Sequence, residues 1–335
     1  MGRIALNGLG RIGRLVVRQL GASRPGLLGA VNDPAPLDQL VHLLRHDSVH
    51  GPSRQPIGGF TEGGQDFLLL GDHRVPLFHA TDPGGIPFPP GIRLAVEASG
   101  RFTRRDDAAR HLKGAVTHVV ISAPSPDADL TVIAPVNGAS LDPGRHRVIS
   151  NASCTAHATA PMLQVLDNAF GLEHAGMSTV HVVTNDQRLL DLPHKDRRRA
   201  RAAFQSIIPT TSSAFGALHR ALPGLPPGFD GVALRVPTLS VNLVDLVATL
   251  RRDADAAGLR AAFGSAADAW PGILGIAGPH TVSCDITGRS ESVLMDLDLT
   301  MTLGPRFVKV FGWHDNETGY AARLCDLVLD LAGRI

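Results

Sequence analysis

The chain has 335 residues, 44% of them hydrophobic, and sets 32 Lys plus Arg against 31 Asp plus Glu for a net charge of +1. That balance gives no global pull toward nucleic acid or an anionic membrane, and the length predicts about two domains at ~100–200 residues each. Cysteines at 154, 284 and 325 are too few and too scattered for a disulfide framework or a zinc knuckle.

No stretch of 18 apolar residues is present, and Met1 to Leu6 runs straight into a strand-like segment without an apolar leader. The expectation is a cytoplasmic protein with reduced thiols. Arg3 to Asn7 reads as a buried strand, followed by Gly8-Leu9-Gly10-Arg11-Ile12-Gly13 and a helix over Arg14 to Leu20. Gly29 to Asp33 reads as a second strand ending in an acid, which completes a βαβ unit with the glycine fingerprint. Positions 51–92 hold many Gly and Pro and resist assignment. Arg93 to Ala98, Val116 to Ser122 and Val148 to Asn151 read as short apolar strands, and Thr155 to Phe170 as a helix blemished by Pro161. Ser178 to Val183 alternates like a strand, and Asp186 to Ser206 is a long polar, Arg-rich stretch. Strands are predicted at Val232 to Val236, Asp245 to Leu250, Val293 to Thr302 and Phe307 to Phe311, with helices at Asp253 to Ala267 and Gly319 to Ala332. This order argues for a parallel α/β sheet domain followed by a domain with a mixed or antiparallel sheet.

In the first βαβ unit the glycines let the backbone approach a pyrophosphate at a helix N-terminus. Asp33, 20 residues past Gly13, is placed to accept bonds from ribose hydroxyls and to repel a 2′-phosphate, which favours NAD over NADP. Cys154 begins a predicted helix, where a thiolate is favoured, and His181 follows on a strand. An imidazole within reach can take the thiol proton, so the pair should titrate as a coupled unit. A thiolate nucleophile beside a nicotinamide site points to aldehyde oxidation through a covalent intermediate.

Asn7 to Arg14, Ser150 to Thr155, Thr184-Asn185-Asp186-Gln187, Leu192 to Asp196, Ser206 to Thr210, Arg235 to Thr238 and Asp315 to Tyr320 together resemble the phosphorylating glyceraldehyde-3-phosphate dehydrogenases. The resemblance runs through nearly the whole chain and is faint only at 51–92 and 251–280. It implies a Rossmann-type doubly wound parallel sheet domain over 1–152, completed by a C-terminal helix at 316–335. An α+β catalytic and oligomerisation domain, with a mixed or antiparallel sheet, would occupy 153–315. It further implies a Cys154 thiohemiacetal and thioester, with His181 as acid–base. Asn7, Gly8, Gly10, Arg11, Ile12, Asp33, Ser122, Asn316 and Tyr320 would bind NAD, and Pro193 goes with the NAD preference. Thr184 and Arg235 would hold the phosphate of a small phosphorylated aldehyde. Ser153, Thr155, Ser212 and Ser213 would hold the attacking inorganic phosphate. The same resemblance implies a homotetramer; the apolar pattern and the lack of aromatics among the Arg-rich residues argue against a membrane or nucleic-acid partner, and no metal is expected.

The chain also departs from the family pattern. Cys-Thr-Thr-Asn-Cys is replaced by Cys154-Thr155-Ala156-His157-Ala158, so the second thiol is missing. His157 is expected to pack against a neighbouring strand. Ser213 stands where the family usually has Gly, and Thr81 stands near a position where the family commonly has an Arg that contacts the adenosine half. Alternative readings are an erythrose-4-phosphate dehydrogenase, with water attacking the thioester, or an inhibitor-resistant or arsenate-using paralogue. A cofactor-binding regulator without catalysis is disfavoured by the intact Cys154 and His181. His42, His46 and His50 at i, i+4 and i+8 are read as a solvated stripe, not metal ligands. Arg197 to Arg201 is read as a subunit-packing loop, and Cys284 and Cys325 as buried packing residues.

Overall fold

The first four residues that bury themselves, Ile4 to Asn7, set the first layer. A run that is apolar on both faces suits a parallel strand covered by helices above and below. The structure, a computed structural model, describes residues 3–335. It divides the chain into two compact units, one of Met1–Val132, Ser140–Ala152 and Ala321–Ile335, the other of Ile133–Ala139 and Ser153–Tyr320.

In the first unit, β1 (Arg3–Asn7) leads through the glycine loop to α1 (Arg11–Ser23), β2 (Leu28–Asn32) and α2 (Leu37–Arg45). Then come β3 (Ile57–Glu62), β4 (Gln65–Leu70), β5 (His73–Phe78), β6 (Ile92–Glu97), α3 (Arg105–Ala109), β7 (His118–Ile121), β8 (Leu130–Thr131) and β9 (Val148–Ser150). They form one sheet of order β3-β4-β5-β2-β1-β6-β7-β9-β8. From β5 to β8 every neighbouring pair is parallel, while β3, β4 and β5 form an antiparallel meander. β1 lies between β2 and β6, so the winding reverses there, and the loops after β1 and β6 flank the crevice where such sheets bind ligands.

The second unit starts with α4 (Cys154–Phe170), then β10 (Leu172–His181), β11 (Ile208–Thr210), α5 (Ala214–Ala221), β12 (Asp230–Arg235) and β13 (Asn242–Leu250). It continues with α6 (Ala256–Ala269), β14 (Leu274–Ile276), α7 (Ser283–Ile286), β15 (Val293–Thr302) and β16 (Phe307–His314). The sheet order is β11-β12-β10-β13-β16-β15-β14, with mixed parallel and antiparallel pairing. β13 buries every second residue, the period of a strand with one covered face. α4 lies on that face against β10, β13, β15 and β16, and is buried on most sides, Pro161 included. The last helix, α8 (Thr318–Arg334), returns Leu324, Val328 and Leu331 to the core of the first unit.

The predicted strands and long helices are present with shifted ends. α4 starts at Cys154 rather than Thr155, and β10 ends at His181 rather than Val183. The unassigned 51–92 segment holds the β3–β5 meander, whose edge strands are half-exposed and so lack a long apolar run. α2, α3, α5, α7, β8, β11 and β14 were not foreseen; apart from α2 and α5 none exceeds five residues. Cys284 corrects the expectation of burial: it is exposed on α7, whereas Cys325 is buried. His157 is buried, and its ring meets the Tyr320 ring edge-on at 6.0 Å, so a helix-borne aromatic supplies a neighbour that the strand-packing expectation did not include. His42 lies on α2 and His46 caps it, their rings 5.0 Å apart. No cluster of three or more His, Cys, Asp or Glu among the described residues could hold a metal ion.

Arg11, at the start of α1, donates to Asp47 at 2.7 Å. Burial pushes the Asp47 carboxyl up, but the amides of His50 and Val49 and the Arg11 guanidinium outweigh it and hold it at about 2. A lowered folded value stabilises above the ordinary carboxylate range and loses that contribution as pH falls toward 2. Asp47→Asn should therefore cost about 2 kcal/mol at pH 7 by urea unfolding, with the gap to wild type closing between pH 4 and pH 2. A gap independent of pH would contradict the assignment.

Candidate active site

The loop after β1 has the shape a dinucleotide needs. Gly8 adopts φ +100°, and a Cβ there would lie 2.5 Å from the Ser99 amide nitrogen, so only glycine fits. A Cβ at Gly13 would meet the Gly8 carbonyl oxygen at 2.0 Å, which fixes the close approach of α1 to β1. A Cβ at Gly10 would meet nothing within 4 Å, so an open space lies beside the uncapped start of α1. That opening at a helix N-terminus fits a pyrophosphate.

Around it, Asn7 donates to Glu97 at 2.6 Å and accepts from Asn32 at 2.7 Å, tying together the ends of β1, β2 and β6. Ile12 packs on the core, while the Arg11 side chain turns to Asp47. Asp33 stands just past β2, and its two carboxylate oxygens accept from the Leu9 amide at 2.7 Å and the Ala35 amide at 2.9 Å. A carboxylate has about four acceptor sites, so capacity remains for ribose hydroxyls. Ser122, at the end of β7, has a buried hydroxyl with no partner among the described residues, a polar atom suited to a ligand. These residues fit NAD.

In the second unit, the nucleophile stands at the first position of α4. Ser153 caps the helix, its hydroxyl accepting from the Ala156 amide at 3.2 Å. Cys154 Sγ lies 3.9 Å from His181 Nε2 and 3.9 Å from the Thr155 hydroxyl. His181 is the last residue of β10. β12 runs parallel beside it, in the register that sets Arg235 opposite His181. Arg235 Nη1 lies 2.6 Å from His181 Nδ1 and donates to the Val182 carbonyl at 3.1 Å. Strand pairing sets Arg235 beside His181, and the start of α4 adds Cys154.

The other expected anion-binding residues lie on nearby segments of this unit. Thr184 donates its amide to Gln187 at 3.2 Å. Ser212 accepts from the Ala214 amide at 3.2 Å, and Ser213 is the N-cap of α5 with no side-chain cap bond. Asn316 accepts from the Val241 amide at 3.1 Å, Val241 has φ +71°, and the Asn316 NH2 makes no hydrogen bond among the described residues. That leaves a donor free for a carboxamide.

Two groups near His181 were missed in the sequence. Arg199, in the Arg-rich stretch, donates to Asp186 at 2.5 Å and to Thr210 at 2.9 Å, and its charge bears on both His181 and Arg235. His314 is buried at the end of β16 and accepts from Asn242 at 3.1 Å. A run of five basic or small residues gave no hint which Arg turns inward, and nothing local marks a strand-end His as buried.

Burial dominates the electrostatics. It pushes the Cys154 thiol up, against the pull of Thr155 and Arg235. It drives His181 well below its ordinary value, reinforced by Arg235. Burial, with the neighbouring charge of Arg199, also lowers Arg235 to about 10, so it remains a cation at neutral pH. Burial thus opposes charge on both the thiol and the imidazole, while Thr155 and Arg235 favour the thiolate.

Two family models match the chain: the NAD binding domain of glyceraldehyde 3-phosphate dehydrogenase over residues 2–105, and the C-terminal domain of the same enzyme over 153–316. The glyceraldehyde-3-phosphate dehydrogenase of Geobacillus stearothermophilus is 42% identical over 99% of this chain and 98% of its own length. Glyceraldehyde-3-phosphate dehydrogenase 1 of Bacillus cereus is 41% identical over 98% and 97%. The enzyme of that name from Streptomyces coelicolor is 41% identical over 99% of both.

Because the Gly10 side faces open space, Gly10→Ala should leave urea stability within about 0.5 kcal/mol of wild type. Calorimetric NAD affinity should fall by roughly tenfold, about 1.4 kcal/mol. Unchanged affinity would show that the cofactor backbone does not approach there.

Proposed function

The chain belongs to the glyceraldehyde-3-phosphate dehydrogenase family, and on that premise we propose that it oxidises glyceraldehyde 3-phosphate with NAD and inorganic phosphate through a covalent intermediate on Cys154. The observation that carries the mechanism is the half-buried 3.9 Å approach of Cys154 Sγ to His181 Nε2 at a capped helix start.

His181 Nε2 accepts the thiol proton, the thiolate adds to the aldehyde carbon, and the imidazolium returns that proton to the new oxyanion to give a thiohemiacetal. Bound NAD supplies the hydride acceptor. His181 takes the hydroxyl proton as the carbon is oxidised, which leaves a thioester on Cys154. A phosphate oxygen then attacks the thioester carbon, the C–S bond breaks, and the acyl phosphate departs from a regenerated thiolate. The thioester retains oxidation energy that a free acid would lose, and two moderate steps replace one hard one.

Arg235 and Thr184 hold the substrate's phosphate in this reading, since a planar guanidinium grips two oxygens at once. Ser153, Thr155, Ser212 and Ser213 receive the attacking phosphate. Asn316 and Tyr320 orient the nicotinamide, while Asn7, Gly8, Gly10, Arg11, Ile12, Asp33 and Ser122 serve the rest of the dinucleotide. Residues 1–152 with 316–335 form the NAD-binding domain, and 153–315 the catalytic and oligomerisation domain. A homotetramer is supported by the apolar side chains presented by the polar stretch after β10, where Leu189 is 71% and Leu190 76% exposed. Clustered exposed apolar residues of this kind mark interaction surfaces. A cytoplasmic location suits a nucleophile that must stay reduced. No helix among the described residues is long and apolar enough to cross a membrane.

With saturating aldehyde and NAD but no phosphate, NADH formation should stop after about one equivalent per site, and added phosphate should restore turnover. Steady turnover without phosphate would mean that water is the acceptor. His181→Asn should lower kcat by about 10²–10⁴-fold, and full activity in that variant would remove His181 from the chemistry.

A further inference from the structure

β10 ends at His181, and the residue that follows leaves the strand ladder. The buried Val182 N–H therefore needs a partner other than a neighbouring backbone. Asn242, fully buried at the first position of β13, accepts it at 2.9 Å. The carbonyl of the same residue lies 2.8 Å from His181 Nδ1. A carbonyl can only accept, so Nδ1 carries a proton, and Nε2 is the atom that exchanges one with Cys154. Arg235 Nη1, 2.6 Å from Nδ1 and 3.5 Å from Nε2, lies over the ring and does not set this choice.

The direction of each bond follows back from Val182. A backbone N–H can only donate, so Asn242 turns its Oδ1 to Val182 and its NH2 away. That NH2 lies 3.1 Å from His314 Nε2, which must offer a lone pair. His314 is therefore neutral, with its one proton on Nδ1. Burial enforces this, lowering its value to about 3. The β13–β16 register sets Asn242 opposite His314, so the sheet fixes their separation. His314 Nδ1 is buried with no partner among the described residues, an unfavourable state that packing alone does not explain. The backbone beside Asn242 is also strained: Val241 is β-branched and stands at φ +71°. Its N–H is held at 3.1 Å by Asn316, two residues past His314. Strain of this kind clusters at functional sites, where surrounding contacts over-determine it.

We propose that Asn242 and His314 are positioning residues for the general base: His314 orients the Asn242 amide, Asn242 fixes Val182, and the Val182 carbonyl fixes the ring and the Nδ1 proton of His181. The proposal rests on the reading of His181 as the base that serves Cys154. Proton transfer needs its partners within hydrogen-bond reach, and a displacement of about 1 Å can cost up to ~100-fold in rate. What His314 supplies in this role is an acceptor at one point, which separates it from a ring that only fills space.

Two measurements test it. Neutron diffraction from deuterated crystals of the full chain reads the protons directly. A deuteron on Nδ1 of both His314 and His181, with none on His314 Nε2, is expected. A deuteron on His314 Nε2 would overturn the proposal whatever any variant does. The second measurement is single-turnover NADH formation in two variants. His314→Phe keeps a ring and removes the acceptor, while His314→Gln removes the ring and keeps an acceptor in its amide oxygen. The rate should fall by roughly 10–100-fold in His314→Phe and stay within about threefold of the parent in His314→Gln. The KM for NAD and for glyceraldehyde 3-phosphate should stay within about twofold in both. A parental rate in His314→Phe, or an equal loss in both variants, would contradict the proposal. If His314→Phe does not fold, a loss of about tenfold or more in His314→Gln still counts against it. A parent chain that forms no NADH would instead remove the proposed reaction, and the neutron map would still judge the hydrogen bonds around His314.

Discussion

One imidazole, set between a thiol and a guanidinium in a buried site, governs the chemistry of this chain. Cys154 stands 3.9 Å from one ring nitrogen of His181, and Arg235 stands 2.6 Å from the other. In a site with little water, each contact acts at short range and is weakly screened. Burial alone would leave both the thiol and the imidazole neutral and inert. The site therefore depends on small shifts of charge and proton around that ring, which is why so much surrounding structure is spent on holding it still.

That holding is the work of the second sheet. The parallel pairing of β10 with β12 sets His181 beside Arg235, and the antiparallel pairing of β13 with β16 sets Asn242 beside His314. Asn242 then grips the peptide of Val182 directly after the base. Four adjacent strands thus bear on a single ring: β10 carries it, β12 contacts it through Arg235, and β13 and β16 brace the peptide that follows it. The first sheet does the corresponding task for the dinucleotide, where Asn7, Asn32 and Glu97 knit the ends of three neighbouring strands beneath the glycine loop. In both units precision comes from strand ends, where register is fixed by the sheet while the terminal side chains remain available.

The parts that could be read in advance were those with local rules. A glycine loop between a strand and a helix, an acid after the next strand, and a cysteine at a helix start each carry their meaning within a few residues. The meander at 57–78 lacked such a signal, because half-exposed strands containing Gly58, Gly59 and Pro76 have neither a long apolar run nor a helical period. The inward turn of Arg199 and the burial of His314 depend on contacts with distant segments, which residue order does not display. The same holds for Cys284: its neighbours read as apolar, yet the one-turn helix that carries it lies at the surface. His157, one turn beyond the nucleophile, is another case, since its aromatic neighbour Tyr320 lies more than 160 positions away.

The central claim is that Cys154 carries the substrate as an acyl group. Mass spectrometry of the protein quenched after mixing with glyceraldehyde 3-phosphate and NAD, with phosphate withheld, addresses it directly. The account predicts a stoichiometric adduct with the mass of the phosphoglyceroyl group, mapped to the peptide containing Cys154 and discharged when phosphate is added. An unmodified Cys154 alongside accumulated NADH, or an adduct on another residue, would contradict it.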